Sequence, residues 1–512
     1  MAASVGRGAP SLAPAHRAGK VQCRRIIHAL FAIIAERSLP GGIAAVKLEI
    51  DQDSSLPVVV QVTDGVRDWV ARHGAGSRLP SIRRLARDLG VSRNTAIEAY
   101  ERLVAQGLVR SRPGAGFYVA DSAARVLARE DNGAENLEDV TDEMWRLFQT
   151  REDSLKLGCG WLPTDWREGD DLAHAIRQVT RQDRSGLFDY STPLGTPELR
   201  SLIEERLRLL DIEADANQIL LTGGGSHALD LLVRLMLNPG DTVFVESPGY
   251  YNLFGLLRLQ RVKVIGVPRL SGGPDVERME ALLKTHRPKL LFTNSVFQNP
   301  TGTTLAPTVA HRVLQLAEKH DFRIVEDDIY ADFQRDPTIR LAALDGLRRV
   351  IYLGSFSKSL SCSLRVGFIV AGPGLIKQLV DVKMLTSIAS SRFAEQVVTT
   401  MLENGSYRKL TERLRLKLSG QMASALELVG AAGWEVFAEP AGGMFLWLRH
   451  PAVDSSSRLV ERAQCAGISL SPGDVFLPDG GHSPWTRINV AYTRDPRAVR
   501  FLGNPSMLCH RE

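Results

Sequence analysis

Lys358 lies between two serines in SFSKSLSCSLRVGFIVAG (355–372), and Arg365 follows seven residues later. An unprotonated lysine is a nucleophile toward aldehydes and forms Schiff bases. Other residues supply what a phosphorylated aldehyde with a pyridine ring would need. A phosphate needs N–H donors, and TGGGSHALDLL offers a glycine turn opening a helix at Gly225-Ser226. Ser355, Ser357 and Arg365 add hydroxyls and a fixed cation. A ring nitrogen needs a carboxylate to stay protonated, and Asp327 in VEDDIY suits, with Tyr330 three residues on. Asn299 in QNPTG can donate to a phenolate oxygen, and Tyr250 in ESPGYY can cover a ring face. Arg487 in TRINVAY can clamp a carboxylate. Together these are the parts of a pyridoxal 5′-phosphate site.

Each part alone has a plainer reading. SFSK could be a surface loop, the three glycines a common turn, Asp327-Asp328 a strand-end turn, and Asn-Pro-Thr-Gly ordinary turn chemistry. Their co-occurrence in one chain carries the argument. The elements that would position them alternate from about Leu155 onward. ILLTGGG, DTVFVE, KLLFTNSVF, RIVEDDIY and RVIYLGSF read as short apolar strands separated by helices, which predicts a mostly parallel sheet covered by helices. The last hundred residues change style. A long helix, YRKLTERLRLKLSGQMASALELVG, precedes short strands such as GGMFLWLRH and TRINVAYT, which predicts a smaller α+β lobe.

The front of the chain is different. Of 512 residues, 44% are hydrophobic and 24% charged, as in a globular protein, and the length predicts two or three domains. The net charge is +5. Leu56–Ala120 holds ten arginines, no lysine and five acids, so this window carries the whole excess and predicts an anionic partner. The window reads as three helices and a hairpin. VVVQVTDGVRDWVARHG is helical up to Gly74, a short helix runs from Pro80-Ser81 to Gly90, and a third runs from an N-cap at Ser92 to about Gln106. LVRSRPGAGFYVA makes two strands around a Pro-Gly-x-Gly turn. On the third helix Ala96, Ile97, Tyr100, Leu103 and Val104 form the expected core stripe. Arg93, Asn94 and Thr95 are left free to read base edges in duplex DNA. Arg78, Arg83 and Arg84 lie where phosphates would be clamped, and Arg110 and Arg112 flank the hairpin turn.

The remaining stretches are less informative. The five cysteines are scattered, so neither a disulfide framework nor a metal site is expected, and a reducing cytoplasm fits. No apolar run is long enough for a spanning helix. Arg24-Arg25 before IIHALFAII mimics a signal or transit peptide. His28 and the lack of a small-x-small cleavage site favour a tail with a short helix. Residues 121–154 are acidic and read as a linker, with a helical turn around Met144–Phe148.

Two resemblances follow. Leu56–Ala120 resembles the winged helix-turn-helix domain of the GntR family, whose members carry LPS-x-R-x-LA-x-x-LGVSR-x-T almost as written here. It implies operator binding through Arg83, Arg93, Asn94 and Thr95. Most of Leu155–Val499 resembles the fold type I aminotransferases. That resemblance implies the Schiff base at Lys358, Asp327 on the ring nitrogen, Asn299 with Tyr330 on the phenolate oxygen and Tyr250 stacked on the ring. It also implies Arg365, Ser355 and Ser357 on the phosphate, Arg487 on a substrate carboxylate, and Tyr190 in YSTPLGTPELR on the phosphate of a neighbouring subunit. One departure stands out: the usual Ser-Gly-x-Gln phosphate turn reads Gly223-Gly224-Gly225-Ser226, and His227, expected as an ordinary helix-surface residue, follows.

The combination resembles the MocR subfamily. The expected layout is an extension (1–50), a winged helix-turn-helix domain (51–120), a linker (121–154) and a fold type I body (155–512). Its large domain would span about 190–385, and its small α+β lobe about 155–180 and 395–500. The resemblance implies a head-to-tail homodimer in the cytoplasm, held on the nucleoid when DNA-bound. It would sense an amine, amino acid or B6 vitamer by external aldimine formation. Two further readings stay open: an active class I/II aminotransferase with a retained DNA-binding domain, and a repressor whose body only scaffolds the dimer.

Overall fold

The computed structural model describes residues 57–120 and 153–504, except 74, 106, 113–115, 168 and 183–184, together with Leu48, Ile50 and Asp51. The N-terminal helix expected at IIHALFAII, nearly all of the linker and the tip of the Pro-Gly-x-Gly turn lie outside the described residues. The chain divides into two units, one within residues 1–134 and one within 135–512.

The first unit contains α1 (Val58–Arg72), α2 (Ile82–Asp88), α3 (Arg93–Ala105) and the antiparallel hairpin β1 (Val109–Arg112) and β2 (Gly116–Val119). Its helix starts are those the sequence marks. Ser81 accepts the Arg84 N–H, and Ser92 Oγ accepts the Thr95 N–H at 3.1 Å. Gly90 sits at φ 67° just past α2, the left-handed position where a side chain is disfavoured. The core joins Val62, Val66, Trp69, Leu85, Tyr100, Leu103 and Val119. The expected α3 stripe needs one correction. Ala96, Ala99, Tyr100 and Leu103 are buried, whereas Ile97 and Val104 are 37% and 39% exposed. The i, i+3, i+4, i+7 series that starts at Ala96 takes the inner face and turns its apolar neighbours to the flank.

The second unit is built on an eight-stranded sheet. Its strands are β3 (Ile219–Thr222), β4 (Thr242–Ser247), β5 (Lys263–Leu270), β6 (Gly273–Pro274), β7 (Pro288–Asn294), β8 (Arg323–Asp327), β9 (Val350–Ser355) and β10 (Gly367–Val370). The order is β3-β10-β9-β8-β7-β4-β5-β6. The run β9-β8-β7-β4-β5 is parallel, and β10 lies antiparallel between β3 and β9. Alternate residues serve two cores: Phe244, Leu291 and Ile324 pack on one face, Val243, Phe292 and Val325 on the other. Burial on both faces explains why these strands are continuous apolar runs in the sequence.

A second sheet follows the 26-residue helix Ser406–Ala431. Its strands β11 (Glu435–Val436), β12 (Phe445–Arg449), β13 (Ser471–Pro472) and β14 (Thr486–Asn489) are ordered β11-β12-β14-β13, all antiparallel. Leu155 bridges to Ile468, which brings the start of the unit to this sheet. The expected architecture, a mainly parallel large sheet and an α+β lobe, is present. Cys159 and Cys362 are free. Among the described residues no helix is long and apolar enough to cross a membrane, and no cluster could hold a metal ion.

Candidate functional site

The topology gathers the chemistry-bearing residues. β3, β4, β7, β8 and β9 run in one direction, and their C-terminal ends lead into Gly223–Ser226, Tyr250, Asn299, Asp327–Tyr330 and Ser355–Lys358. In open α/β sheets that edge is where ligands bind. β10 runs the other way, so Arg365, just before its start, lies at the same edge. Arg487 reaches the site from β14. Its guanidinium donates to Asn299 Oδ1 at 2.7 Å and to the Gly158 carbonyl at 2.6 Å, and packs 4.6 Å from the centre of the Phe445 ring.

Lys358 is held with its Nζ donating to the Gly160 carbonyl at 2.8 Å. Burial, assisted by the Arg487 charge, pushes its pKa below the ordinary lysine value. A Cβ on Gly160 would sit 3.6 Å from Lys358 Nζ and 3.9 Å from Arg487 Nη2, which places this residue beside both cations. The segment Gly158–Gly160, whose carbonyls accept from Arg487 and Lys358, is a part of the site that sequence reasoning missed; the pair of glycines in LGCGW was its signal.

Three consecutive acids end β8, and they are treated differently. Glu326 accepts from Ser295 Oγ and the Leu341 and Ala342 N–H groups. Asp328 accepts from Arg340 Nε at 2.7 Å and the Tyr352 hydroxyl at 2.8 Å. Asp327 accepts the Ile329 N–H at 3.3 Å and makes no ion pair among the described residues. Burial raises its pKa to about 7, with hydrogen bonds from the Ile329 N–H and the Asn294 side chain, and then the Lys358 charge, only partly offsetting this. A half-buried carboxylate in this state is suited to a cationic ring nitrogen.

The turn after β3 is shaped for an anion. Gly224 has φ 87°, and a Cβ there would lie 2.9 Å from Arg365 Nη2. A Cβ on Gly367 would meet the Gly224 carbonyl carbon at 2.8 Å and Gly225 N at 3.1 Å. Three bare backbones and a guanidinium thus converge at the N-terminus of the helix Gly225–Met236. Arg365 itself sits at φ 53°, a left-handed conformation uncommon for a side-chain-bearing residue. Ser355 Oγ accepts the Ser357 N–H at 3.2 Å and donates to the Val366 carbonyl, while Ser357 Oγ and Arg487 Nε are buried without partners among the described residues. Tyr250 hydrogen-bonds through its hydroxyl to Ser226 and Asn252, and burial raises its pKa. Tyr330 is buried edge-on to Phe445 at 5.5 Å, and burial pushes its pKa well up. Orphaned donors, a side-chain-free cradle and a carboxylate lacking a cation together fit pyridoxal 5′-phosphate.

Two residues differ from expectation. His227 is not an ordinary helix-surface histidine: Nδ1 accepts the Gly223 N–H at 2.9 Å, and Nε2 faces Ser387 Oγ at 3.3 Å. The ring is therefore a neutral acceptor closing the glycine turn, and burial with the nearby Lys383 charge lowers its pKa. Tyr190 is 75% exposed and is not brought to the other residues within one chain.

In the first unit, Arg93 and Asn94 are exposed at the start of α3, and Arg83 is exposed on α2. Thr95 is half-buried, with its hydroxyl 2.9 Å from Ser92 Oγ, so it belongs to the cap rather than standing free. Arg84 is tied to Asp88 at 3.4 Å. Arg78 pairs with Tyr118 in a backbone bridge near Gly116, Arg110 is half-buried on β1, and the Arg112 guanidinium lies 4.8 Å from the Tyr118 ring centre.

Comparison with known proteins agrees with this geometry. Residues 152–501 match the aminotransferase class I and II family, and residues 60–119 match the bacterial regulatory proteins of the gntR family. The chain is 30% identical to the probable rhizopine catabolism regulatory protein MocR of Rhizobium meliloti, over 83% of this chain and 88% of that protein. It is 27% identical to the regulator NorG of Staphylococcus aureus, over 81% of this chain and 95% of that one. It is 32% identical to a 2-aminoadipate transaminase of Thermus thermophilus, over 63% of this chain and 81% of the enzyme. The crystal structure of LysN, the alpha-aminoadipate aminotransferase of Thermus thermophilus, superposes with a TM-score of 0.66 at 29% identity, covering 71% of this chain and 93% of the other. A gntR-type reader followed by a class I and II aminotransferase domain, in the order and over the span seen in MocR, makes this chain a member of the MocR-type transcriptional regulators.

Proposed function

We propose that the chain is a regulator whose aminotransferase-like unit binds pyridoxal 5′-phosphate through Lys358 and reports an amine-bearing effector to the DNA-reading unit. The observation that carries this is the pairing of a half-buried lysine with a lowered pKa and a half-buried carboxylate whose pKa is raised to about 7, at one sheet edge. When bound, the cofactor supplies an aldehyde that exchanges amines and a ring that draws electrons from the attached carbon. Asp327 would hold the ring nitrogen's proton, Asn299 and Tyr330 the phenolate oxygen, and Tyr250 the ring face. Gly225, Ser226, Ser355, Ser357 and Arg365 would hold the phosphate, with Tyr190 arriving from the other subunit of a homodimer. Arg487 would orient an effector carboxylate, exchanging its bond to Asn299 for the new partner.

Lys358, whose Nζ donates to the Gly160 carbonyl close to the segment that joins the small sheet, would be the residue an effector amine displaces. The effector's influence on DNA affinity is limited to its differential affinity for the two states, ~1–3 kcal/mol in typical systems. Arg83, Arg93 and Asn94 would make the main operator contacts, with Arg78, Arg84, Thr95, Arg110 and Arg112 in support.

Borohydride reduction followed by peptide mass mapping tests the reading. A pyridoxyl adduct on the Lys358 peptide is expected, and its absence from cofactor-saturated protein refutes the assignment. An absorbance screen of amines and amino acids against the loaded protein then identifies the effector class. A second reading, an aminotransferase that retains its reader, is favoured by the 32% identity to the transaminase. Steady turnover of an amino donor with a keto-acid acceptor would establish it.

A further inference from the structure

The outer edge of β3 is closed by an arrangement that the proposed chemistry does not use. β3 is the terminal strand of the large sheet, and an uncovered edge presents unpaired backbone groups. The Leu221 N–H donates to the Leu194 carbonyl at 2.8 Å. The Leu221 carbonyl accepts from Lys383 Nζ at 2.8 Å, and the Gly223 N–H is taken by His227. Lys383 is completely buried and spends its other two ammonium hydrogens on the Pro193 carbonyl at 2.8 Å and Ser390 Oγ at 3.1 Å. Burial lowers its pKa to about 8. The equally buried Glu395 accepts Ser191 Oγ at 2.6 Å, the Thr196 N–H at 2.9 Å and the Ser390 hydroxyl. His227 reaches Ser387, one turn beyond Lys383.

The hub joins two parts of the site that belong to different subunits in the proposed dimer. β3 runs directly into Gly223–Ser226, the chain's own phosphate turn. Ser191–Thr196 is continuous with exposed Tyr190, which serves the neighbouring site. We infer that Lys383 and Glu395 are positioning residues that couple the phosphate turn of one subunit to the Tyr190 segment it lends to the other, so that the two cofactor sites of the dimer fill with positive cooperativity. The inference rests on the reading given under Proposed function. Its physical basis is that Lys383 has no spare hydrogen. The turn cannot shift without pulling on Pro193 and Ser390, and Ser390 is shared with Glu395, which holds Ser191 and Thr196. Tightening the turn around a phosphate therefore fixes the segment that completes the other site, and by linkage the effect is mutual.

The test is a titration of full-length apoprotein with pyridoxal 5′-phosphate, with sedimentation to verify the dimer and borohydride mapping to verify the adduct. A coupling factor of about tenfold gives a Hill coefficient of about 1.5. Lys383→Met is expected to bring it to about 1 while the dimer persists, and Tyr190→Phe, which leaves the hub intact, to do the same. Should Lys383→Met not fold, Ser390→Ala removes the atom shared by both charged groups and is expected to lower the coefficient likewise. A wild-type coefficient of 1 with the adduct present, or full cooperativity in the folded hub variant, overturns the coupling alone. Absence of any adduct overturns the underlying reading, and the coupling with it.

Discussion

Replacing Asp327 by Asn tests the electrostatic heart of the site. Asn has the same shape and can still accept the Ile329 N–H, so the change removes charge and little else. Burial raises the Asp327 pKa from 3.8 to about 7. A raised carboxylate pKa means the fold prefers the protonated form. Its contribution is fully present below the unfolded value near pH 4 and is lost as pH rises through about 7. Over that window the cost grows by about 1.4 kcal/mol per pH unit, to about 4 kcal/mol in all. Asn is neutral throughout, so the stability of Asp327→Asn apoprotein relative to wild type should climb between pH 5 and 7 and then level off. Glu326 and Asp328 titrate in both proteins, so the difference isolates position 327. The assay is urea unfolding of the aminotransferase unit, followed by near-ultraviolet circular dichroism across this pH range. With pyridoxal 5′-phosphate bound, a ring cation beside Asp327 should erase most of the gap, because the pair replaces the missing counter-charge. A gap that stays flat with pH, or that the cofactor fails to close, would refute the argument that this acid awaits a cation.

Three further outcomes are expected. Gly224→Ala forces a side chain into a φ 87° conformation and against Arg365, so its affinity for pyridoxal 5′-phosphate, read by absorbance titration, should fall by about 1–3 kcal/mol. Arg93→Ala should weaken operator binding by about 1–3 kcal/mol in a fluorescence-anisotropy titration and leave the cofactor spectrum unchanged. Tyr100→Phe removes the hydroxyl that donates to the Pro80 carbonyl at 2.6 Å, leaving a buried acceptor unpaired; denaturant unfolding of the DNA-reading unit should show a loss of about 1–3 kcal/mol.

The parts of the site that the sequence reveals are those whose residue type follows from the chemistry. A lysine, a strand-end aspartate and a glycine turn can each be named before any coordinates, because each does a job few other residues can do. The strand pattern was equally legible, since a two-sided parallel sheet writes long apolar runs. What stayed hidden depends on which neighbour fills a space. Ile97 and Val104 look like core residues, but Ala96 and Ala99 take the inward positions. Thr95 looks like a base reader, but Ser92 takes its hydroxyl. Lys383 sits in the tract QLVDVKMLT, and nothing in that pattern marks its ammonium as lying at the edge of β3.

The three acids of VEDD show how far this division can be taken. Glu326 and Asp328 are buried and Asp327 is half-buried at the strand's end, yet composition treats them alike. Glu326 is satisfied by a hydroxyl and two helix-start N–H groups, and Asp328 by Arg340 and Tyr352, partners supplied by the protein. A buried carboxylate without a cation costs several kcal/mol in typical proteins, so a chain that supplied Asp328 with an arginine could have done the same for Asp327. It instead leaves Asp327 at the edge where Lys358, Arg365 and Asn299 converge, with neutral donors from the Ile329 N–H at 3.3 Å and the Asn294 side chain. In the proposed reading the missing charge comes from a planar cation that also presents an aldehyde to Lys358 and an anion to the glycine turn. This requirement ties the chemistry of the whole site to a single group, and it ties the fate of the proposal to the behaviour of one carboxylate.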